Sequence, residues 1–485
     1  MISQLRQLFS DTVIYGLGYI AARLVTFLLL PFYTNILTTA EYGIITLGLV
    51  FAGIVKIIYK YGSDSALIRY YDIEHSQGSK RAVFSTLFWS LLAVSVVLSL
   101  IILVFEISIA RLLFDDAQKT ILVLMLIGII IFDTLTILPK TLLRIHERPV
   151  YFSGVNLVNV VITLGLNIYF IGYLSMGAAG AFLANLIASG SLILCLLPAM
   201  TDDLRPRFSW NLWKEMLGFG IPLIVVQFSG MIMELIDRPI LKELTDMATV
   251  GLYGAGYKLG IFMMLVVVAY NFAWQPFFMK VGRQEDGPQI FSRIFTYFMF
   301  ILCGMFVVLT LLLEYIVKIP VFGVPLIGED FRSAVHMVPI IFAAYIAYGA
   351  YVNFLPGIYL KKRSGKLALF TSVGAVANIG GNLLLIPVLG IYGAALSTLL
   401  GYLIMAGALY FTHQSLYPTP YQWEKVSITL IATAVVIGAF YLLKPGIWLR
   451  FGLILSYIIL HFMLGAIRFR ELRNFTQRLR MRTRE

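Results

Sequence analysis

Long runs of apolar residues, interrupted by short polar segments, extend along almost the whole chain. An α-helix needs about 20 such residues to cross a bilayer, because every backbone amide in hydrocarbon must be bonded within its own segment. The pattern predicts fourteen membrane-spanning helices. Their approximate bounds are 9–37, 40–60, 82–106, 119–143, 150–172, 176–199, 213–238, 248–275, 289–317, 333–360, 366–388, 391–412, 424–444 and 447–467. We therefore predict an all-α polytopic membrane protein.

The composition supports this prediction. Of the 485 residues, 60% are hydrophobic and 13% are charged, and the mean hydropathy is +0.88. Soluble globular proteins carry about a quarter charged residues, so the composition excludes that class. Cys195 and Cys303 lie inside apolar helices without metal-ligand spacing, and we expect two small hydrophobic side chains and no disulfide.

The basic residues are distributed unevenly between alternate connections. One set of connections, which includes both termini, holds 26 of the 37 Lys and Arg residues. Cytoplasmic loops carry such an excess, so both termini are predicted to be cytoplasmic. The tail at 468–485 is rich in arginine. Because it follows the last predicted membrane helix, we interpret it as a segment that contacts anionic lipid rather than nucleic acid.

Two stretches of the chain resemble each other at a separation of about 210 residues. Residues 84–88 return as residues 291–295, and residues 165–167 return as residues 380–382. Each half begins on the cytoplasmic side and has an even number of helices, so the two copies are parallel. The prediction is a six-helix lobe at 1–200, a second six-helix lobe at 201–412, an added pair of helices at 413–467 and a basic cytoplasmic tail at 468–485.

The fifth and eleventh predicted helices each carry a polar stripe at helical spacing. Asn167 lies on the first stripe, and Asn382 takes the corresponding place on the second. Polar side chains that face lipid are costly, so both stripes should face protein or water. Two roles remain open for them, hydrogen bonding between helices and contact with a substrate.

Basic residues within the predicted helices are the first functional candidates, because a charge at mid-bilayer is expensive. Arg23 lies near the middle of the first helix without an acid within one turn, and Lys258 is similarly deep in the eighth. For Arg23 we expect a water-filled cavity, with a buried structural pair as the alternative. Lys56 lies closer to the cytoplasm and could extend to the interface. With Arg69 and Arg293, these residues make the predicted cavity net basic, so it should attract anions.

Acidic residues in the helices could either couple transport to an ion or form ion pairs. Gln227, Glu234 and Arg238 share one face of the seventh helix, and Gln227 is a further candidate for the cavity. Glu234 and Arg238 have the i,i+4 spacing of an ion pair, but Glu234 could also bind a proton or Na⁺. Asp133 and Lys140 are expected to pair within the fourth helix. The candidates for a coupling-ion site or ion pairs are Asp133, Glu234, Asp237 and Arg238.

Motifs of catalysis are missing from the sequence. No G-x-x-x-x-G-K-[ST] loop is present, since Gly365-Lys366 is followed by Leu367. His-Glu-x-x-His motifs and cysteine clusters are also absent. We therefore expect neither an ATPase nor another enzyme, and no cofactor.

Short motifs along the chain resemble the polysaccharide flippases, the Wzx type, of the multidrug/oligosaccharidyl-lipid/polysaccharide exporter superfamily. The most specific ones lie in the seventh and eighth helices, and looser ones lie in the first two. They are GIP at 220–222, DRPIL at 237–241, VGLY at 250–253, AGYKL at 255–259 and AWQPF at 273–277, with LP at 30–31, EYG at 41–43 and SALIRYY at 65–71.

This resemblance implies two MATE-like six-helix lobes around a central cavity that opens alternately to each side of the bacterial cytoplasmic membrane. It implies a substrate made of an oligosaccharide linked to undecaprenyl diphosphate, whose lipid tail stays in the bilayer while diphosphate and sugars cross. The negative diphosphate would then meet Arg23 and Lys258. The energy source stays open, since a proton or Na⁺ could drive the cycle.

Expected partners are the lipid-linked oligosaccharide and membrane lipids, with a polysaccharide polymerase and a chain-length regulator as further candidates, and we expect a monomer that binds no nucleic acid. The alternative is a cation-coupled multidrug exporter or a lipid II exporter of the same superfamily. A basic interior and fourteen helices disfavour the multidrug exporter. A lipid II exporter should carry more cavity arginines.

Overall fold

The computed structural model of the chain describes residues 27–73, 77–361, 363 and 365–463. Within these ranges, twelve helices are long and apolar enough to cross a membrane. Two shorter apolar helices, Phe27–Ile36 and one that begins at Ile447, lie where the first and last spans are predicted. The chain is therefore a multi-pass membrane protein with an almost entirely helical structure. The beginning of the first predicted helix, which carries Arg23, and the basic tail lie outside the described residues.

The described residues of the first half of the chain form helices α1 to α12. They are α1 (Phe27–Ile36), α2 (Thr39–Lys60), α3 (Ser63–Ile73), α4 (Gln77–Val104), α5 (Glu106–Phe114), α6 (Thr120–Leu135), α7 (Ile137–Ile145), α8 (Pro149–Asn167), which continues as a π-helix (Ile168–Tyr173), α9 (Gly177–Met200), α10 (Trp210–Leu235), α11 (Asp237–Leu244) and α12 (Met247–Leu259).

The second half adds a small hairpin and a 3₁₀-helix between two long helices. Its elements are α13 (Ile261–Val281), α14 (Gly287–Ile316), β1 (Pro320–Val321), β2 (Val324–Pro325), the 3₁₀-helix (Glu329–Met337), α15 (Val338–Asn353), α16 (Pro356–Leu360), α17 (Gly365–Leu389), α18 (Ile391–Leu416), α19 (Trp423–Leu443) and α20 (Ile447–Met463). The two strands pair antiparallel, with Val321 opposite Val324.

Helix starts and breaks follow from local chemistry. Thr38 and Glu41 form a capping box at the start of α2, where each side chain accepts a hydrogen bond from the other residue's backbone amide. Ser209 caps α10 with its side chain alone, which accepts a hydrogen bond from the Leu212 amide. The chain breaks between α15 and α16 just before Pro356, because proline has no amide hydrogen to continue the helical ladder.

The structure differs from the hydropathy pattern in the predicted eighth helix. The span expected at 248–275 consists of two helices, α12 and α13, which meet at Gly260. Lys258 therefore lies in the last turn of a short helix rather than in the middle of a long one. Both helices are apolar, so the sequence pattern gave no sign of the break.

The described residues divide into two compact units. The first contains the described residues up to Leu259 together with Pro320–Ala334 and Ala368–Gly401, and the second contains Gly260–Ile319, Val335–Leu367 and the described residues from Tyr402 onwards. Within the first unit, α2 packs along α12. The first unit thus holds most of the residues that the sequence singled out.

Helix α17 has exposed apolar side chains and buried polar ones. Its side chains Val376, Leu384 and Val388 are exposed, whereas Asn378 and Asn382 are buried. This pattern is the reverse of a helix in water and is typical of a helix that faces hydrocarbon on one side. The eleventh predicted helix thus directs its polar stripe towards protein.

Candidate functional site

Lys258 on α12 lies against two tyrosines of the first unit. Its ammonium nitrogen is 5.6 Å from the centre of the Tyr33 ring and 5.4 Å from that of the Tyr42 ring. The two rings are themselves 5.8 Å apart. The two distances from the Lys258 nitrogen to the ring centres are within the range of cation–π attraction. Among the described residues, no carboxylate forms an ion pair with Lys258, so aromatic faces are the partners that the structure gives it.

The two tyrosines are held differently. The Tyr33 hydroxyl donates a hydrogen bond of 2.7 Å to Oδ1 of Asn167, which is fully buried on α8. The Tyr42 hydroxyl is also buried but has no hydrogen-bond partner in the described part of the chain. A buried hydroxyl without a partner is costly, which marks Tyr42 as a donor that a ligand would satisfy.

Asn167 therefore belongs to the surroundings of Lys258, because it orients Tyr33. Its amide nitrogen donates to the carbonyl oxygen of Thr163, one turn earlier in α8. Asn382 has a different environment. Its amide donates to the carbonyl oxygen and to Oδ1 of Asn378, and its own Oδ1 has no partner among the described residues.

Asp237 and Arg238 form a buried ion pair at the start of α11. The Arg238 guanidinium is 2.6 Å from Oδ1 of Asp237, and the Tyr253 hydroxyl donates to the other carboxylate oxygen. The guanidinium also lies 4.1 Å from the centre of the Tyr257 ring. Asp237 and Arg238 are 1% and 5% exposed. The carboxylate therefore has a partner for each of its oxygens.

The i,i+4 pairing expected for Glu234 and Arg238 takes another form in the structure. Arg238 donates to the backbone carbonyl oxygen of Glu234, while its ion pair is with the adjacent Asp237. Glu234 lies in α10, which ends at Leu235, and Arg238 lies in α11, which begins at Asp237.

Asp133 forms its ion pair with Lys56 rather than within its own helix. The Lys56 ammonium nitrogen is 3.0 Å from Oδ2 of Asp133, and the Ser189 hydroxyl donates to Oδ1 at 2.7 Å. The contact joins α2, α6 and α9. Lys140, which was the expected partner, follows α6 in α7 and is not in an ion pair with Asp133.

The other predicted site residues do not take part in the contacts described above. Arg69 is exposed, and its guanidinium lies 4.4 Å from the centre of the Phe219 ring. Arg293 is exposed on α14 of the second unit. Gln227 is half-buried on α10. Of the described candidates, the structure thus places Asn167 with Lys258, Lys56 with Asp133, and Asp237 with Arg238.

Sequence reasoning missed Tyr33, Tyr42 and Tyr253 as site residues. Two of them lie in motifs that carry the family resemblance, EYG at 41–43 and VGLY at 250–253. A tyrosine in an apolar run reads as packing, and only the fold shows that these rings contact Lys258 or Asp237. The motifs were the one signal that could have identified Tyr42 and Tyr253.

A family model described as "Polysaccharide biosynthesis protein" matches residues 8–282 of this chain. A relative in Haemophilus influenzae, a protein of the Lsg locus, is 22% identical over 285 residues, which are 58% of this chain and 68% of that protein. The residues matched by the family model include α2 and α12 and extend past Lys258.

Solved structures of membrane transporters resemble the fold. The lipid II flippase MurJ in an inward closed conformation has a TM-score of 0.75, with 13% identity over 95% of this chain and 99% of that one. A multidrug resistance MATE family transporter of the MOP superfamily in an inward-facing conformation has a TM-score of 0.59, with 15% identity over 82% of this chain and 97% of that one. At these identities the similarity shows the fold alone.

Proposed function

We propose that this chain, which belongs to the polysaccharide biosynthesis protein family, is a flippase for oligosaccharides linked to undecaprenyl diphosphate in the bacterial cytoplasmic membrane. The family match and the fold shared with MurJ and the MATE transporter support this proposal. The lipid tail would stay in the bilayer while the diphosphate and the sugars cross by alternating access. The chain would act as a monomer of two six-helix lobes with both termini in the cytoplasm.

The position of Lys258 is the observation that carries the proposal. Its ammonium group lies at Tyr33 and Tyr42 and has no carboxylate to neutralise it among the described residues. An uncompensated cation away from bulk water attracts an anion strongly. A diphosphate can form charge-assisted hydrogen bonds with this ammonium group, and the Tyr42 hydroxyl would become a further donor.

The remaining cavity residues would contribute in unequal ways. Arg23 would be the second cation that meets the diphosphate. Asn167 would act by orienting Tyr33, since their hydrogen bond is present in the structure. Lys56 already holds Asp133, so it would reach a substrate only if that pair opened. The weaker candidates are Arg69, Arg293, Gln227 and Asn382, which would contact the sugars.

Ion coupling has less support than ion pairing at Asp237 and Asp133. Asp237 is bound by Arg238 and Tyr253, and Asp133 is bound by Lys56 and Ser189. A coupling cation or proton would have to displace one of these partners. The same observation disfavours the cation-coupled multidrug exporter, since such a protein needs an accessible acidic site.

A lipid II exporter is the second candidate function, favoured by the TM-score of 0.75 with MurJ. Lipid II also carries a diphosphate, so Lys258 would serve both substrates. The family match favours the polysaccharide precursor. A polysaccharide polymerase and a chain-length regulator are the proposed protein partners of that pathway class.

The decisive experiment compares the two lipids in one assay. The purified protein is reconstituted in liposomes that hold either a fluorescent undecaprenyl-diphosphate oligosaccharide or fluorescent lipid II in the inner leaflet. Arrival in the outer leaflet is measured by dithionite quenching. We expect transfer of the oligosaccharide lipid above protein-free liposomes and little transfer of lipid II. Transfer of lipid II alone would assign the second function, and transfer of neither would remove both.

A further inference from the structure

The loop between α14 and α15 packs against elements far from it in sequence. Residues 320–334, the outer loop, belong with the first unit, although the helices on both sides of the loop belong with the second. The outer loop contains the β1–β2 hairpin and most of the 3₁₀-helix. The charge count predicts that this connection lies on the extracytoplasmic side. Its contacts within the first unit are therefore expected at the extracytoplasmic end of the predicted transport path.

The outer loop is attached to the last turn of α1. The Gly328 amide donates a hydrogen bond of 3.1 Å to Oγ1 of Thr34, and the Asn35 side chain donates one of 2.7 Å to the carbonyl oxygen of Pro325. A Cβ on Gly328 would lie 1.8 Å from the carbonyl oxygen of Thr34. Only glycine permits this approach, so the attachment depends on a specific residue on each side.

A chain of aromatic contacts connects the outer loop to Lys258. Phe331 is fully buried, and its ring meets that of Tyr42 edge to face at 5.6 Å. Tyr42 contacts Tyr33, which lies directly before Thr34 in the sequence. Lys258 lies over both tyrosines. The residue that carries the proposed anion site is thus two contacts away from Phe331.

We propose that the outer loop is a latch whose attachment to α1 weakens when an anion binds Lys258. The inference rests on the proposed function and adds a link between substrate binding and release. Cation–π contacts with Tyr33 and Tyr42 hold Lys258 while the site is empty. A phosphate group replaces these contacts by charge-assisted hydrogen bonds and offers the Tyr42 hydroxyl its missing partner.

Movement of Tyr42 towards the anion withdraws its ring from Phe331. The latch is then held to α1 by the hydrogen bonds of Thr34, which is buried, and of Asn35, which is partly exposed and competes with water. Substrate in the site therefore opens the latch on the side towards which it is carried. An empty site restores the contacts and closes the latch again.

Hydrogen exchange with mass spectrometry tests this coupling on the whole protein in lipid nanodiscs. The probe is undecaprenyl diphosphate, and its binding is followed separately by a shift in thermal unfolding. We expect the probe to raise amide exchange in residues 326–334 about tenfold in the wild-type protein. Lys258→Ala should abolish this rise. Lys258→Met, which keeps the side-chain volume, provides a second variant if Lys258→Ala fails to fold.

Two further variants distinguish release of the outer loop from a general loss of stability. Asn35→Ala should raise exchange in residues 326–334 without the probe, because it removes a direct attachment. Glu329→Gln is the matched control, since the Glu329 carboxylate contacts only Arg332 of the same loop and is exposed. This control should leave exchange unchanged. Exchange of residues 83–91, which lie in a buried core, reports whether each variant is folded.

The outcomes distinguish the latch from the proposed function. Binding of the probe with a rise at residues 326–334 supports the latch. Binding of the probe without that rise overturns the latch and leaves the flippase proposal intact. A protein that does not bind the probe at all overturns the flippase proposal, and the latch with it.

Discussion

The backbones of Gly251 and Thr39 approach so closely that a Cβ on Gly251 would lie 1.9 Å from the carbonyl oxygen of Thr39. Thr39 begins α2 and Gly251 lies in the first turns of α12, so this approach brings the two helices together near one end. A Cβ on Gly254, one turn further, would meet the side chain of Thr46 at 2.9 Å. The close packing of α2 and α12 fixes Lys258 relative to Tyr42.

Gly251→Ala should therefore destabilise the protein by about 1–3 kcal/mol, the usual cost of overpacking. The measurement is the apparent free energy of unfolding in detergent micelles. Gly230→Ala is the matched control, since a Cβ at Gly230 on α10 would meet nothing within 4 Å. Alanine is a better helix former than glycine, so this control should be neutral or slightly stabilising. Equal stability of both variants would contradict the close approach.

Lys258→Ala should abolish export of surface polysaccharide in cells that depend on this protein, while the amount of protein in the membrane stays unchanged. Lys258→Arg should keep part of the activity, because it keeps the positive charge. The sequence predicts the same loss for Arg23→Ala. Export is measured by staining or electrophoresis of the polysaccharide in a deletion strain that carries each variant.

Lys366→Ala controls for the loss of a lysine, since Lys366 is exposed at the start of α17. Its export should equal that of the wild type. Normal export from both Lys258→Ala and Arg23→Ala would remove these residues from the proposed anion site.

The sequence predicts contacts between residues that are close together in the chain better than contacts between residues that are far apart in it. The sequence identifies Lys258 as a candidate because a lysine inside an apolar run is exceptional at any position. Its surroundings were not, because Tyr33 and Tyr42 are far from it in sequence and resemble packing residues. The partner of Asp133 was missed for the same reason, since Lys56 is 77 residues away. Spacing rules connect residues of one helix, and only tertiary packing connects α2 with α6.

The ion pair of Lys56 and Asp133 should behave as a structural contact. Lys56→Met or Asp133→Asn alone should lower the free energy of unfolding by about 1–3 kcal/mol, because each leaves a polar partner unsatisfied. The double variant Lys56→Met/Asp133→Asn should recover most of that loss and still export polysaccharide. A double-mutant cycle in detergent micelles measures the interaction. The i,i+4 pair of Lys60 and Asp64 is the control, with a coupling of about 0.5 kcal/mol.

A coupling-ion role for Asp133 predicts a different result. The double variant would then be stable but would not export, since the carboxylate itself would be needed in the cycle. Stability and export together therefore decide between the two readings of this carboxylate that the sequence left open.

Arg238→Gln should have the largest effect on stability of the ion-pair variants. The substitution leaves the Asp237 carboxylate buried without its cation, and removal of one member of a buried pair costs about 3–5 kcal/mol. Asp237→Asn/Arg238→Gln removes both charges and should recover part of the loss. Tyr253→Phe should cost less, about 1–2 kcal/mol, because the ion pair remains.

Thermal unfolding in detergent micelles measures all three variants, with Lys119→Gln as the control. Lys119 pairs with Asp116 at 3.7 Å where both side chains are partly exposed, so its loss should cost well under about 1 kcal/mol. A small effect of Arg238→Gln, similar to that of the control, would mean that Asp237 has another cation available. The carboxylate would then again be a candidate for a coupling ion, and the addition of Na⁺ to the Arg238→Gln protein should raise its unfolding temperature.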